Sequence, residues 1–92
     1  MREIRYTTQF KRDFKRIIKS GAPKNIESTL EAVVNHLVND IPLPASLRDH
    51  ALKGVYLGSR ECHVRPDVLL IYEKSEGNTL LLIRLGNHSE LF

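Results

Sequence analysis

Val68-Leu-Leu-Ile-Tyr-Glu73 and Thr79-Leu-Leu-Leu-Ile-Arg-Leu85, joined through Ser75-Glu-Gly-Asn78, are the stretch that decides the fold. Each run is short, rich in β-formers and bounded by turn residues, so the pair reads as an antiparallel hairpin. Both parities of these strands are apolar: Leu69 and Ile71 point one way, Val68, Leu70 and Tyr72 the other. One face can therefore lie on helices, and the other needs a tail, a loop or a partner chain to cover it. Upstream, Val55 to Leu57 and Arg60 to Val64 read as one further strand interrupted at Gly58, with Arg65-Pro66 as the turn into Val68.

The N-terminal half supplies the helices. Residues 2–7 alternate Ile4 and Tyr6 with polar positions, the pattern of a short strand. Thr7 or Thr8 then caps a helix in which Phe10, Phe14, Ile17 and Ile18 share one face. Gly21 stops it, and Pro23 suits the first turn of a second helix carrying Ile26, Leu30, Val33, Val34, Leu37 and Val38. Residues 40–53 contain two prolines and read as an ordered loop in which Ile41, Leu43, Leu47 and Leu52 want burial. The order is β-α-α-β-β-β: one α+β domain over residues 1–92, a two-helix hairpin packed on a small antiparallel sheet.

Composition agrees with a single globular domain. The chain has 92 residues, 41% hydrophobic and 27% charged, enough for one modest core. No apolar run approaches the roughly 20 residues that span a bilayer, so no membrane role is expected. Met1-Arg-Glu-Ile-Arg-Tyr6 lacks the apolar core of a secretory signal, and the single Cys62 excludes an internal disulfide. A reduced, cytoplasmic setting is the expectation. Charge is uneven: Lys11, Arg12, Lys15, Arg16 and Lys19 crowd the first helix against Asp13 alone, and Arg48, Lys53, Arg60, Arg65 and Arg84 follow. RNA, DNA or an acidic protein would suit these groups, although such a stripe is also what a solvated helix face looks like.

The ionisable residues of the last third fall at strand ends. With a tight turn at 75–78, positions summing to about 153 pair, setting Arg84 opposite Leu69 and Gly86 opposite Asp67. His63, Asp67, Arg84 and His88 then reach one end of the sheet. A two-residue turn at Arg65-Pro66 sends His63 and Asp67 to opposite faces, whereas a three-residue turn over Val64 to Pro66 pairs them. Such a cluster suits RNA cleavage by the substrate's own 2′-hydroxyl. One group takes that proton, another protonates the departing 5′-oxygen, and a cation meets the charge gathering at phosphorus. Histidine titrates near neutrality and serves as base or acid. Arg84 is the permanent cation, Asp67 orients or tunes a histidine, and the chemistry asks for no metal or cofactor. His36, beside Leu37 in the second helix, is structural. Zinc is the rival use of His50, Cys62, His63 and His88, but Cys62 and His63 are strand neighbours on opposite faces and no paired-ligand spacing occurs. Cys62 reads as a small buried apolar residue.

Asp49-His-Ala-Leu-Lys-Gly54, Arg60-Glu-Cys-His-Val-Arg-Pro-Asp-Val-Leu-Leu-Ile-Tyr72 and Arg84-Leu-Gly-Asn-His-Ser-Glu-Leu-Phe92 together resemble the YafQ branch of the RelE toxin superfamily, across essentially the whole chain. The resemblance implies a RelE-like fold and a type II toxin: a ribosome-dependent mRNA endoribonuclease, metal-independent, held inactive by a cognate antitoxin protein. It implies catalytic positions at His50, His63, Asp67, Arg84 and His88, with Phe92 and the acidic Glu61 also in the site. Lys53, Arg60 and Arg65 are then candidates to meet RNA, and Lys11, Arg12, Lys15, Arg16 and Lys19 to dock on the ribosome. Operator DNA would be bound only indirectly, through the antitoxin. Val68 departs from the family, which carries tryptophan there. Two other classes remain: a non-catalytic inhibitor of DNA gyrase like the related ParE toxins, and a basic nucleic-acid-binding module.

Overall fold

The computed structural model describes residues 1–21, 25–75 and 77–92. Along the chain run β1 (Glu3–Tyr6), α1 (Thr8–Lys19), α2 (Ile26–Val38), β2 (His50–Ala51), β3 (Arg60–Arg65), β4 (Val68–Lys74), β5 (Thr79–Gly86) and α3 (His88–Leu91). Among the described residues the strands form one sheet in the order β1-β5-β4-β3-β2. The α+β architecture is the expected one, with two refinements. The sheet is mixed, because β1 lies parallel to β5; a parallel pair needs a long connection, and here α1, α2 and three strands lie between the two. A short C-terminal helix follows β5, which the alternation of residues 79–85 gave no reason to expect. The expectation that Pro23 opens the second helix falls outside the described residues.

Thr7 shows how local chemistry locks these pieces. Its hydroxyl accepts the Phe10 N–H at 2.9 Å as the cap of α1 and donates to the Ile83 carbonyl of β5 at 2.7 Å. One side chain thus starts the helix and joins it to the sheet. Gly54 and Gly58 have φ of +67° and +95°, a region closed to extended strand. Residues 54–56 consequently form a 3-10 turn, and the strand expected from Val55 starts only at Arg60.

The register of the hairpin differs from the expected one. Ile71 pairs with Arg84 and Leu69 with Gly86, while Tyr72 pairs with Leu82, leaving Ile83 as a bulged extra residue. Pairing next to the turn already runs one position past the expected count, with Lys74 facing Leu80, and the bulge adds a second, so that Arg84 faces Ile71 and not Leu69. The shift matters for the core. Leu80, Leu82 and Leu85 all belong to the core beneath α1 and α2. Strict alternation from Leu82 would have driven Arg84 into it. A second bulge separates His63, paired with Leu69, from Arg65, paired with Val68. The connecting turn is therefore Pro66-Asp67, not either alternative read from the sequence: proline lacks the N–H that a ladder position needs, but its fixed φ suits a turn.

The helix-facing core gathers Phe10, Ile17, Leu30, Val33 and Leu37 against Cys62, Val64, Leu70, Tyr72 and Leu82. The opposite face is covered by the chain itself. Leu91 of α3 packs with Leu69 and Ile71, and Leu52, Tyr56 and Ile83 close around them. Leu43 and Leu47 pack on the main core, as expected. Ile41 does not, being 48% exposed. The 40–53 segment is pinned by Asp49, whose Oδ1 accepts from the Tyr72 hydroxyl at 2.6 Å and from Arg60 Nε at 3.1 Å. α3 is closed by a reciprocal pair, Glu90 N–H to Asn87 Oδ1 and Asn87 N–H to Glu90 Oε1, both 2.8 Å.

Gly86 lets that helix approach: a Cβ there would lie 2.9 Å from Glu90 Oε1 and 3.3 Å from an Arg16 terminal nitrogen. Gly86→Ala is expected to push the Glu90 carboxylate off its cap on Asn87 and to cost about 1 kcal/mol, read as a lower urea midpoint. A second expectation concerns alkaline pH. Burial first, then the nearby Asp49 and Glu61 charges, push the Cys62 thiol up to about 12. Burial and the bond to Asp49 likewise raise the Tyr72 phenol. The folded chain then holds protons that the unfolded chain releases from about pH 9 upward, so stability is complete below that value and falls as pH rises toward 12. Urea unfolding between pH 8 and 11 should show this decline, and Cys62→Ala should make it shallower.

Candidate active site

Four neighbouring strands lay the candidate residues out in rows. His50 on β2 pairs with Glu61 on β3, Glu61 with Ile71 on β4, and Ile71 with Arg84 on β5. The next row is His63, Leu69 and Gly86. Neighbouring strands lie about 4.8 Å apart, so the His63 and Gly86 backbones are about 10 Å from each other, with His88 two residues beyond. Ionisable groups thus flank an apolar strip made by Leu69 and Ile71, over which Leu91 sits.

On the β2–β3 side, the Glu61 carboxylate, 6% exposed, lies between two histidines. Its Oε1 is 3.6 Å from His50 Nε2 and 3.7 Å from His63 Nε2, ion-pair distances when either ring is protonated. His50 Nδ1 lies 2.7 Å from the Arg48 carbonyl. A carbonyl only accepts, so Nδ1 carries the proton and Nε2 is the nitrogen left for chemistry. Arg48 itself is left-handed, at φ 50°, a costly conformation for a side-chain-bearing residue; it turns that carbonyl onto the ring. Beside His63 a cavity of about 480 Å³ opens, lined also by Ser46, Leu47, Arg48, Arg65 and Pro66.

On the β5 side, the His88 and Phe92 rings lie tilted at 32° with centroids 4.8 Å apart, and Phe92 meets Tyr56 edge-on at 5.5 Å. The Tyr56 hydroxyl donates to the Leu91 carbonyl at 3.2 Å, holding α3 down. Arg84 is bound by Asp13 of α1: Nε to Oδ2 at 2.7 Å and Nη2 to Oδ1 at 3.3 Å. This bond, ahead of the opposing effect of burial, raises the guanidinium pKa further, with Tyr56 contributing. Burial by itself would raise the Asp13 carboxyl. Donation from Arg84, the Leu85 N–H and Gln9 outweighs it and keeps the group below its ordinary value. Among the described residues, no hydrogen bond or ion pair joins the two sides.

Several residues sit elsewhere than the sequence suggested. Arg60 alternates with Cys62 toward the helices and is engaged by Asp49, so it does not reach the histidines. Asp67 stands exposed in the Pro66-Asp67 turn, and the carboxylate beside the histidines is Glu61. Lys53 is exposed in the segment before the 3-10 turn. By contrast His36, expected to be structural, bonds the Ala32 carbonyl within its own helix at 2.9 Å. In the basic stripe, Arg16 is tied to Asp13 and Glu90, while Lys11 and Lys15 edge an apolar groove of about 690 Å³ between β1, α1 and α2. Asp13, by sequence the lone acid of that stripe, lies buried beneath it. Its position three residues after Phe10 and four before Ile17 marked it as inward-facing.

Comparison with known proteins follows this geometry. Residues 2–92 match the family model described as the bacterial toxin of type II toxin–antitoxin systems, YafQ. An mRNA interferase toxin YafQ from Escherichia coli is 37% identical over 92 residues, 99% of this chain and 96% of that protein. A copper-bound mutant toxin from Helicobacter pylori superposes with a TM-score of 0.91 at 39% identity, covering 100% of both chains. YafQ in its complex with DinJ from E. coli superposes with a TM-score of 0.86 at 36% identity, covering 100% of this chain and 99% of that one. As to the copper in the Helicobacter protein, no three His, Cys, Asp or Glu side chains among the described residues here converge as an ion would require. With one family model spanning the sheet, both site rows and the terminal helix, the chain belongs to the YafQ family of type II toxin–antitoxin toxins.

Proposed function

We propose that this protein is the toxin of a type II toxin–antitoxin pair and acts in the cytoplasm as a ribosome-dependent mRNA endoribonuclease. The observation that carries the reading is the row His50, Glu61, Ile71, Arg84, with His63 and the His88–Phe92 ring pair beside it. Acid–base groups and a fixed cation lie on one side of the sheet, which inhibition by binding alone would not need. That distinguishes this reading from a ParE-like gyrase inhibitor and from a simple basic binding module. The relatives named mRNA interferases point to the same substrate.

The reaction supplies its own nucleophile. A base removes the 2′-hydroxyl proton as the 2′-oxygen bonds to phosphorus, the P–O5′ bond breaks, and an acid protonates the departing 5′-oxygen. His88, on the exposed end of the site, is assigned the proton transfer closest to the scissile phosphate. His50 and His63 share the other, and Glu61 between them stabilises whichever imidazolium forms. Arg84 meets the charge that grows on the phosphoryl oxygens. Phe92 offers a face for base stacking, worth about 1–3 kcal/mol. Arg48 and Arg65 beside the His63 cavity suit the RNA backbone, and Asp67 in its exposed turn suits a contact to the nucleotide. No metal is required by this scheme. Lys11, Arg12, Lys15 and Lys19 suit ribosomal RNA, and an antitoxin like the DinJ of the solved complex is the expected inhibitor.

His88→Ala should lower mRNA cleavage on translating ribosomes by about 100-fold or more, the scale of a lost general acid or base. Cleavage at the wild-type rate would remove His88 from the mechanism. Induction in cells should stop translation before DNA replication; the reverse order would favour a gyrase inhibitor.

A further inference from the structure

Asp13 is a buried carboxylate that this reaction leaves without a role. Its side chain is 0% exposed, so it cannot touch RNA. Its Oδ2 accepts from Arg84 Nε at 2.7 Å and from the Leu85 N–H at 3.0 Å. Its Oδ1 accepts from Arg16 Nη1 at 3.1 Å, Gln9 Nε2 at 3.3 Å and Arg84 Nη2 at 3.3 Å. A buried ion pair is weak evidence of stabilisation, because an apolar pair of similar volume often serves as well. Its geometry is more telling. β1 pairs with β5 only as far as Leu82, and beyond that point the Asp13 carboxylate takes the Leu85 N–H at the sheet edge. The same carboxylate grips one side of the Arg84 guanidinium, using two of its five N–H donors. With the Tyr56 hydroxyl also beside the guanidinium, at most three remain for a ligand, on a group held from one side.

We propose that Asp13 is a positioning residue for Arg84: anchored to the β5 backbone at Leu85, it fixes the guanidinium in the orientation that receives the scissile phosphate. The proposal rests on the ribonuclease reading for its catalytic consequence. Charge does not carry it, since Asp13 and Glu90 against Arg16 and Arg84 sum to zero; the orientation of the guanidinium does. Helix α3 has support that does not pass through Asp13, in the Asn87–Glu90 cap and the Tyr56 hydroxyl on the Leu91 carbonyl. Loss of the Asp13 charge therefore acts on Arg84 first.

The test is a double-mutant cycle with a spectroscopic arm. Asp13→Asn keeps the shape and an acceptor for Leu85, but its amide cannot satisfy Arg84 Nε and Nη2 together. On translating ribosomes Asp13→Asn should lower kcat by about 10- to 100-fold, as misplacement of a catalytic group does, with KM changed less than about threefold. In an Arg84→Ala background the same substitution should change kcat by less than about threefold, since the group it positions is gone. An equal loss in both backgrounds would overturn the proposal in favour of a purely structural role, leaving the ribonuclease reading intact. Wild-type cleavage by Arg84→Ala would instead remove Arg84 from the reaction, and this inference with it. The spectroscopic arm needs no variant and no activity: in the wild-type protein the Arg84 Nε–H should exchange with water far more slowly than that of exposed Arg12. Equal exchange rates would overturn the proposal even if Asp13→Asn failed to fold.

Discussion

A carboxylate shut off from water must be matched by donors on every side, and that requirement at Asp13 organises the functional half of this protein. Left unpaired, such a group would cost several kcal/mol or take up a proton. Here α1, the end of β5 and the Arg84 side chain each supply a donor. Helix position, strand edge and guanidinium orientation therefore cannot vary independently. The Arg16–Glu90 pair extends the linkage to the terminal helix, so that His88 and Phe92 ride on a segment tied to the first helix as well as to the last strand.

The parts of the fold that rest on period and composition were legible beforehand: two amphipathic helices, three strands in the last third, and a sheet apolar on both faces. The requirement that something cover the second face was correct as well. Leu91, Leu52 and Tyr56 do so, and no partner chain is needed there. Register was not legible. The bulges near Val64 and at Ile83 cost the sheet some pairing and are stabilised by contacts distant in sequence, Thr7 on the Ile83 carbonyl among them. Counting from a turn cannot foresee such contacts. The parallel placement of β1 likewise depends on how two helices pack, and no local pattern encodes it.

The candidate site divides in the same way. His63, Arg84 and His88 were recognisable from their positions at strand ends, and His50, Glu61 and Phe92 only through family resemblance. β2 is two residues long, too short to carry a period, so nothing local announced that His50 would pair opposite Glu61. Two further signals lie in the sequence itself. Alternation along β3 already put Arg60 with Cys62 and Val64, away from Glu61 and His63. Helical spacing already put Asp13 on the apolar side of an otherwise basic stripe. A lone opposite charge on the wrong face of a helix asks for a buried partner.

The bulge at Ile83 has a consequence for how such a chain can change over time. It sets two countings of the same strand out of step: one from the hairpin keeps the leucines inward, and the other from the terminal helix keeps Arg84 out of the core. Point replacements in β5 would disturb one count locally. Loss or gain of a single residue would merge the two, sending arginine inward and leucine outward at once. In this strand length, more than composition, is therefore the inherited quantity, and insertions belong in the 40–49 segment, where no ladder keeps score.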